Sequence, residues 1–106
     1  MITQAQIEKV RQTIIQVEQP EKVILFGSYA YGVPKKNSDL DILVINNYDT
    51  PRRKRGASTR KALAYIRFPL EILFYKQEEI DKWSNINKAF ITEVTQKGKI
   101  LYERKK

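Results

Sequence analysis

The sequence predicts a small mixed α/β (α+β) fold, a short sheet with helices packed mainly on one face, and three observations lead there. Short apolar runs rich in β-branched residues recur at 23–26, 40–45 and 70–75, the mark of buried strands. Apolar residues at helical spacing occupy the segments around them, notably Ile7, Val10, Ile14 and Val17. Three short strands cannot cover themselves, so the helices must. A chain of 106 residues buries about two-thirds of its unfolded surface, enough for one core, and residues 1–106 are expected to form a single domain.

The elements follow in order. Thr3 caps the first helix, with Gln6 completing a capping box and Ile2 placed to staple against Ile7. Pro20 ends that helix and is expected to push Gln19 toward extended backbone. Val23 to Phe26 form a strand, and Ser28-Tyr29-Ala30-Tyr31, bounded by Gly27 and Gly32, leave room for little more than one helical turn. A loop over 33–38 leads into the second strand, Leu40 to Ile45. A helix containing Arg60 to Ile66 precedes Arg67-Phe68-Pro69, which breaks it before the third strand, Leu70 to Tyr75. Gln77 to Trp83 form a short helix. Asn87 caps a last one in which Ile86, Phe90 and Val94 share a face, and Gly98 closes it in left-handed backbone. Lys99 to Glu103 add a short extended tail.

Composition excludes whole classes of chemistry. With no Cys and no His there is no thiol nucleophile, no zinc site of the Cys/His type and no Ser-His-Asp triad. No apolar run approaches the roughly 18 residues of a membrane span, and the polar N-terminus lacks the pattern of a signal peptide, so a cytoplasmic location is expected and no membrane partner. The net charge of +8 is concentrated in residues 51–61 (PRRKRGASTRK), which hold six bases and no acid. A charge run is most often a solvated loop. It can also neutralise a triphosphate, dock an acidic partner or bind nucleic acid, though no aromatic interrupts it to stack on bases. Tyr29, Tyr31, Tyr65, Tyr75 and Trp83 read as packing residues.

The chemistry gathers around Asp39 and Asp41. Alternation along a strand puts both carboxylates on one face, with Leu40 and Ile42 on the other. Two carboxylates about 4 Å apart repel by about 1 kcal/mol in water and about 4 kcal/mol at an effective dielectric of 20, so they call for a cation. Oxygen ligands without His or Cys favour Mg²⁺ or Mn²⁺. Alone, such a doublet is more often a solvated strand edge. Upstream, however, Gly27-Ser28 follows a buried strand and opens a helical turn, where free amides and a hydroxyl can hold phosphate oxygens. Glu71 is the single acid inside Leu70-Glu71-Ile72-Leu73-Phe74, where it must be paired, metal-bound or facing water. As a third carboxylate it could bind a metal and accept a proton from an attacking hydroxyl.

Gly27-Ser28, ten residues, then Asp39-Leu40-Asp41, in the context LFGSYAYGVPKKNSDLDILV, resembles the signature of the nucleotidyltransferases of the DNA polymerase beta superfamily, and most of all their minimal members. The similarity continues through PLEILFY and GKILYE. The resemblance implies a palm-like core and metal-dependent transfer of a nucleoside monophosphate from ATP or another NTP to a hydroxyl. It implies that Gly27 and Ser28 hold the triphosphate, that Asp39 and Asp41 hold two Mg²⁺ ions, and that Glu71 is the third acid, binding metal and activating the acceptor. Two positions depart from the family pattern: Glu71 stands where relatives more often carry Asp, an extra methylene that either displaces the metal or is absorbed by the strand, and Tyr31 where many carry Arg, a phosphate contact that is either lost or taken over by Lys35 or Lys36. Minimal members are commonly paired as antitoxins with a HEPN-domain toxin, and some transfer AMP to a tyrosine of it, which implies such a toxin as partner and acceptor. Two alternatives stand beside this one: a catalytically degenerate member that inhibits its partner by binding alone, and a small basic nucleic-acid-binding regulator.

Overall fold

The computed structural model describes residues 1–83 and 90–105. Helix α1 (Gln4–Glu18) opens on the expected capping box, in which the Gln6 N–H donates to Thr3 Oγ1 at 3.1 Å and the Thr3 N–H to Gln6 Oε1 at 2.8 Å. Ile7, Val10 and Ile14 are buried, whereas Val17, at the end of the same stripe, is 38% exposed. Gln19 corrects the expectation of extended backbone. It adopts φ 48° and ψ 57°, because there its N–H still reaches the Ile15 carbonyl at 3.1 Å and closes the helix.

Strands β1 (Lys22–Phe26), β2 (Leu40–Ile45), β3 (Leu70–Tyr75) and β4 (Lys99–Glu103) form one sheet in the order β3-β2-β1-β4. β1 pairs antiparallel with both β2 and β4, and β2 pairs parallel with β3. The parallel pair needs a crossover, and the chain from Asn46 to Pro69 supplies it with a 3-10 turn over Arg52–Lys54 and helix α3 (Ala57–Ala62). The extended tail foreseen after Gly98 is thus the fourth strand, an edge.

Alternation sorts the sheet into two faces. On one, Val23, Leu25, Leu40, Ile42, Val44 and Phe74 meet α1 and Leu63, just past α3, and this is the larger core. On the other, Ile24, Phe26, Leu43 and Ile45 meet Ile80 of α4 (Gln77–Trp83) and Ile91 and Val94 of α5 (Phe90–Lys97). The mixed α/β class is as predicted, with a smaller helical layer added on the second face. The expected roles of Ile86 and Asn87 lie outside the described residues.

Two further expectations are corrected. The helix read over Arg60 to Ile66 starts earlier, at Ala57, and ends at Ala62, because Gly56 takes φ +77° and turns the chain into it. Gly98 is not left-handed. It is there for space, since a Cβ would come within 2.4 Å of Ile24 Cγ2 and of the Val94 carbonyl. Among the described residues, no helix is long and apolar enough to cross a membrane.

Candidate active site

The basic segment looks like the first place to find a phosphate site, but packing occupies much of it. Arg55 is only 4% exposed. Its guanidinium donates to the Thr50 carbonyl at 2.7 Å, to the Phe74 carbonyl at 3.1 Å and bidentately to Glu79 at 2.8 and 3.2 Å, and it lies over the Tyr48 ring. Those bonds hold the Glu79 carboxyl below the usual range. Arg52 covers the Tyr75 ring, and Arg60 covers Phe74 while donating to the Arg55 carbonyl. Glu18 completes the arrangement, accepting from Tyr48 Oη at 2.6 Å and from the buried Thr59 hydroxyl. Burial, then the bond to Glu18, pushes the Tyr48 phenol above its ordinary range. The run is therefore no simple solvated loop: Arg52, Arg55 and Arg60 bind the crossover to the sheet edge.

The carboxylates lie at the opposite end of β2. In the parallel register Asp41 sits beside Glu71, and in the antiparallel one it faces Phe26, the last residue of β1. Because β2 and β3 run in register, one alternation puts Asp39, Asp41 and Glu71 on the same face. One carboxylate oxygen from each lies within 4.8 Å of the others. They share that face with the smaller core, beyond the end of its helical cover. Phe26 packs edge-to-face on Phe90 at 5.6 Å, so an aromatic pair borders the acids. Phe90 is 56% exposed. Its place beside the site was not legible in the sequence, where it is one apolar residue of a helix stripe.

Gly27 brings the corner and the doublet together. It takes φ +73° and ψ −159°, a backbone closed to other residues, and a Cβ there would lie 2.1 Å from Asp41 Oδ2. The chain then turns into α2 (Ser28–Tyr31), whose Ala30 and Tyr31 amides donate to the Gly27 carbonyl. The amides of Ser28 and Tyr29 are left without a helical acceptor beside the carboxylates. Tyr29 Oη accepts from the Ile2 N–H at 3.0 Å, which moors this turn to the start of α1.

Asp41 feels its neighbours. Its carboxyl is raised from 3.8 to about 6, first by burial and then by the charges of Glu71 and Asp39. Oxygen donors alone, mutually repelling and close enough to share a ligand, suit a hard divalent cation such as Mg²⁺ or Mn²⁺. Lys35 and Lys36 are exposed in the loop before Asp39, where the Lys35 N–H bonds Ser38 Oγ at 2.7 Å, and neither ammonium makes an ion pair among the described residues. Of the other aromatics, Tyr29 and Tyr75 pack against the cores, while Tyr31 and Tyr65 are exposed.

The family model for polymerase beta nucleotidyltransferases matches residues 8–106. The chain belongs to that family. The solved structure of a nucleotidyltransferase from Sulfolobus solfataricus superimposes with a TM-score of 0.60 at 21% identity, covering 92% of this chain and 76% of the other. A toxin–antitoxin structure with AMP-PNP gives 0.63 at 19% identity, covering 92% and 73%. A doubly substituted MntA–HpeT toxin–antitoxin gives 0.60 at 18%, again covering 92% and 73%. A search among curated proteins gave no match. These likenesses establish the nucleotidyltransferase fold, and the DxD motif of the family falls on Asp39 and Asp41. The structure of this nucleotidyltransferase thus adds what its motif left open: Glu71 reaches the doublet despite its extra methylene.

Proposed function

We propose that this nucleotidyltransferase transfers AMP from ATP to a hydroxyl of a partner protein, as the antitoxin of a HEPN-domain toxin in the cytoplasm, and that residues 1–106 act as one catalytic domain. The observation that carries the proposal is the convergence of Asp39, Asp41 and Glu71 within 4.8 Å beside Gly27. The pairing with a toxin is supported by the toxin–antitoxin structures among the fold neighbours.

In this reading Asp39, Asp41 and Glu71 hold two Mg²⁺ ions, which would supply charge neutralisation for the phosphates and alignment of the attacking and leaving oxygens. Gly27 lets the backbone approach the triphosphate, and the Ser28 hydroxyl and the free amides of α2 donate to its oxygens. Lys35 and Lys36 reach the outer phosphates from their loop. The acceptor oxygen bonds to the α-phosphorus as the bond from that phosphorus to the bridging oxygen breaks, and pyrophosphate departs. The hydroxyl proton passes to a Glu71 carboxylate oxygen and then to water.

The test is incubation with α-labelled ATP, Mg²⁺ and the product of the adjacent gene. Label is expected on that product and is expected to vanish with Asp39→Asn combined with Asp41→Asn. Label that persists in the double variant would overturn the site.

A further inference from the structure

β3 is an edge strand, and its free side is blocked over only part of its length. The Leu40 N–H donates to Pro69 O and the Asn46 N–H to Tyr75 O, so the odd-numbered residues of β3 pair with β2 and Leu70, Ile72 and Phe74 present their backbone groups outward. Arg55 takes the Phe74 carbonyl, while Arg52 and Arg60 cover Tyr75 and Phe74. Among the described residues nothing takes up the outward groups of Leu70 and Ile72. Beside that stretch, on the α3 face, lies a groove of about 290 Å³ in which the side chains of Leu63, Ile66, Phe68, Leu70 and Ile72 are joined by Arg60. The exposed Lys61 and Arg67 flank it in sequence, and neither makes an ion pair among the described residues.

We infer that the acceptor binds here as an added strand: an extended segment of the partner protein pairs with the free edge at Leu70–Ile72 and carries acidic residues for Arg60 in the groove and for the exposed Lys61 and Arg67 next to its lining in sequence. The inference rests on the transferase reading above. Alternation dictates the rest. A strand one spacing away, about 4.8 Å, sends alternate side chains to the two faces of the sheet. Apolar residues then enter the groove, and the residue between them emerges on the opposite face, beside Glu71 and the aspartates. The edge therefore both binds the segment and aims one hydroxyl at the carboxylates, and it selects an apolar–hydroxyl–apolar pattern with acidic flanks.

The probe is a fluorescent peptide, Glu-Asn-Val-Tyr-Val-Asn-Glu, compared with an isomer in which the valines and asparagines are exchanged. The first is expected to bind at least about tenfold more tightly, and to slow hydrogen exchange at the Leu70 and Ile72 amides while leaving Glu71 and Leu73 unchanged. Ile72→Pro removes an outward N–H that β2 does not use, and is expected to weaken the peptide about tenfold, the scale of one or two net hydrogen bonds. Equal binding of the isomers, or exchange unchanged by the peptide, would overturn the inference without needing any variant to fold. Leu70 and Ile72 amides already protected in a self-associated free protein would overturn it too, giving the edge to a second copy. Peptide binding with amide protection but no transfer of AMP to any acceptor would count against the transferase reading and leave the strand addition standing.

Discussion

The missing side chain of Gly27 and the carboxylate of Asp41 share one space: a methyl group on the glycine would lie 2.1 Å from Oδ2. The end of β1 and the start of β2 approach closely enough to put the glycine–serine corner against a carboxylate oxygen of the acidic cluster. In the family signature the two halves are separated by ten residues, and the antiparallel pairing of Phe26 with Asp41 brings them together.

Gly27→Ala should therefore fail twice. The backbone conformation costs about 1–3 kcal/mol for any residue with a Cβ, and the methyl must displace Asp41. Chemical denaturation should show the loss of stability, and nucleotidyl transfer should fall more than a hundredfold even where the protein still folds.

Asp41 makes stability depend on pH in an unusual direction for a carboxylate. Its folded pKa of about 6 lies above its ordinary 3.8, so the folded protein holds the proton more firmly than the unfolded chain. This contribution is fully present below about pH 4 and is lost as pH rises through about 6. A divalent cation needs the ionised form. Thermal melts with and without Mg²⁺ or Mn²⁺ should show stabilisation by metal that is small at pH 5 and grows toward pH 7.5.

Removing the charge separates stability from activity. Asp41→Asn relieves repulsion by Glu71 and Asp39, and at pH 7.5 without metal it should stabilise the fold by up to about 1 kcal/mol, ~4 °C in Tm, a value kept small because Asp41 is partly open to water. The same variant should lose transfer and the stabilisation by metal. A variant less stable than the parent in EDTA would count against the repulsion.

Arg55 should behave as a structural arginine. Arg55→Ala strips the Phe74 carbonyl of its donor and leaves Glu79 with the Lys76 N–H but without its bidentate cation, and should cost about 3–5 kcal/mol, and Arg55→Lys should recover little because one ammonium cannot replace the bidentate fork. In the parent, Glu79 has a lowered folded pKa, so its contribution is present above its ordinary 4.5 and is lost as pH falls through the folded value. Under conditions where Arg55→Lys remains folded, its nucleotide affinity should match the parent's within about twofold. A large loss there would place Arg55 in the phosphate site instead.

Much of this protein was legible in its sequence because the information is local. The capping box at Thr3 and Gln6, the bounds of β2 and β3, and the doublet on one strand face all follow from spacings of two to four residues. The corner at Gly27 was legible only in company, since a glycine and serine after a buried run are more often just a turn and gain meaning from the acidic doublet that opens the next strand. Long-range pairing decided the rest. Only the parallel register of β2 with β3 puts Glu71 beside Asp41, and only the chain's return past the sheet edge turns Arg55 from one base in a charged run into a buried clamp. A side chain's type and direction are properties of its own strand, but its neighbours depend on which strand lies alongside, and that is settled by burying both faces of the sheet at once.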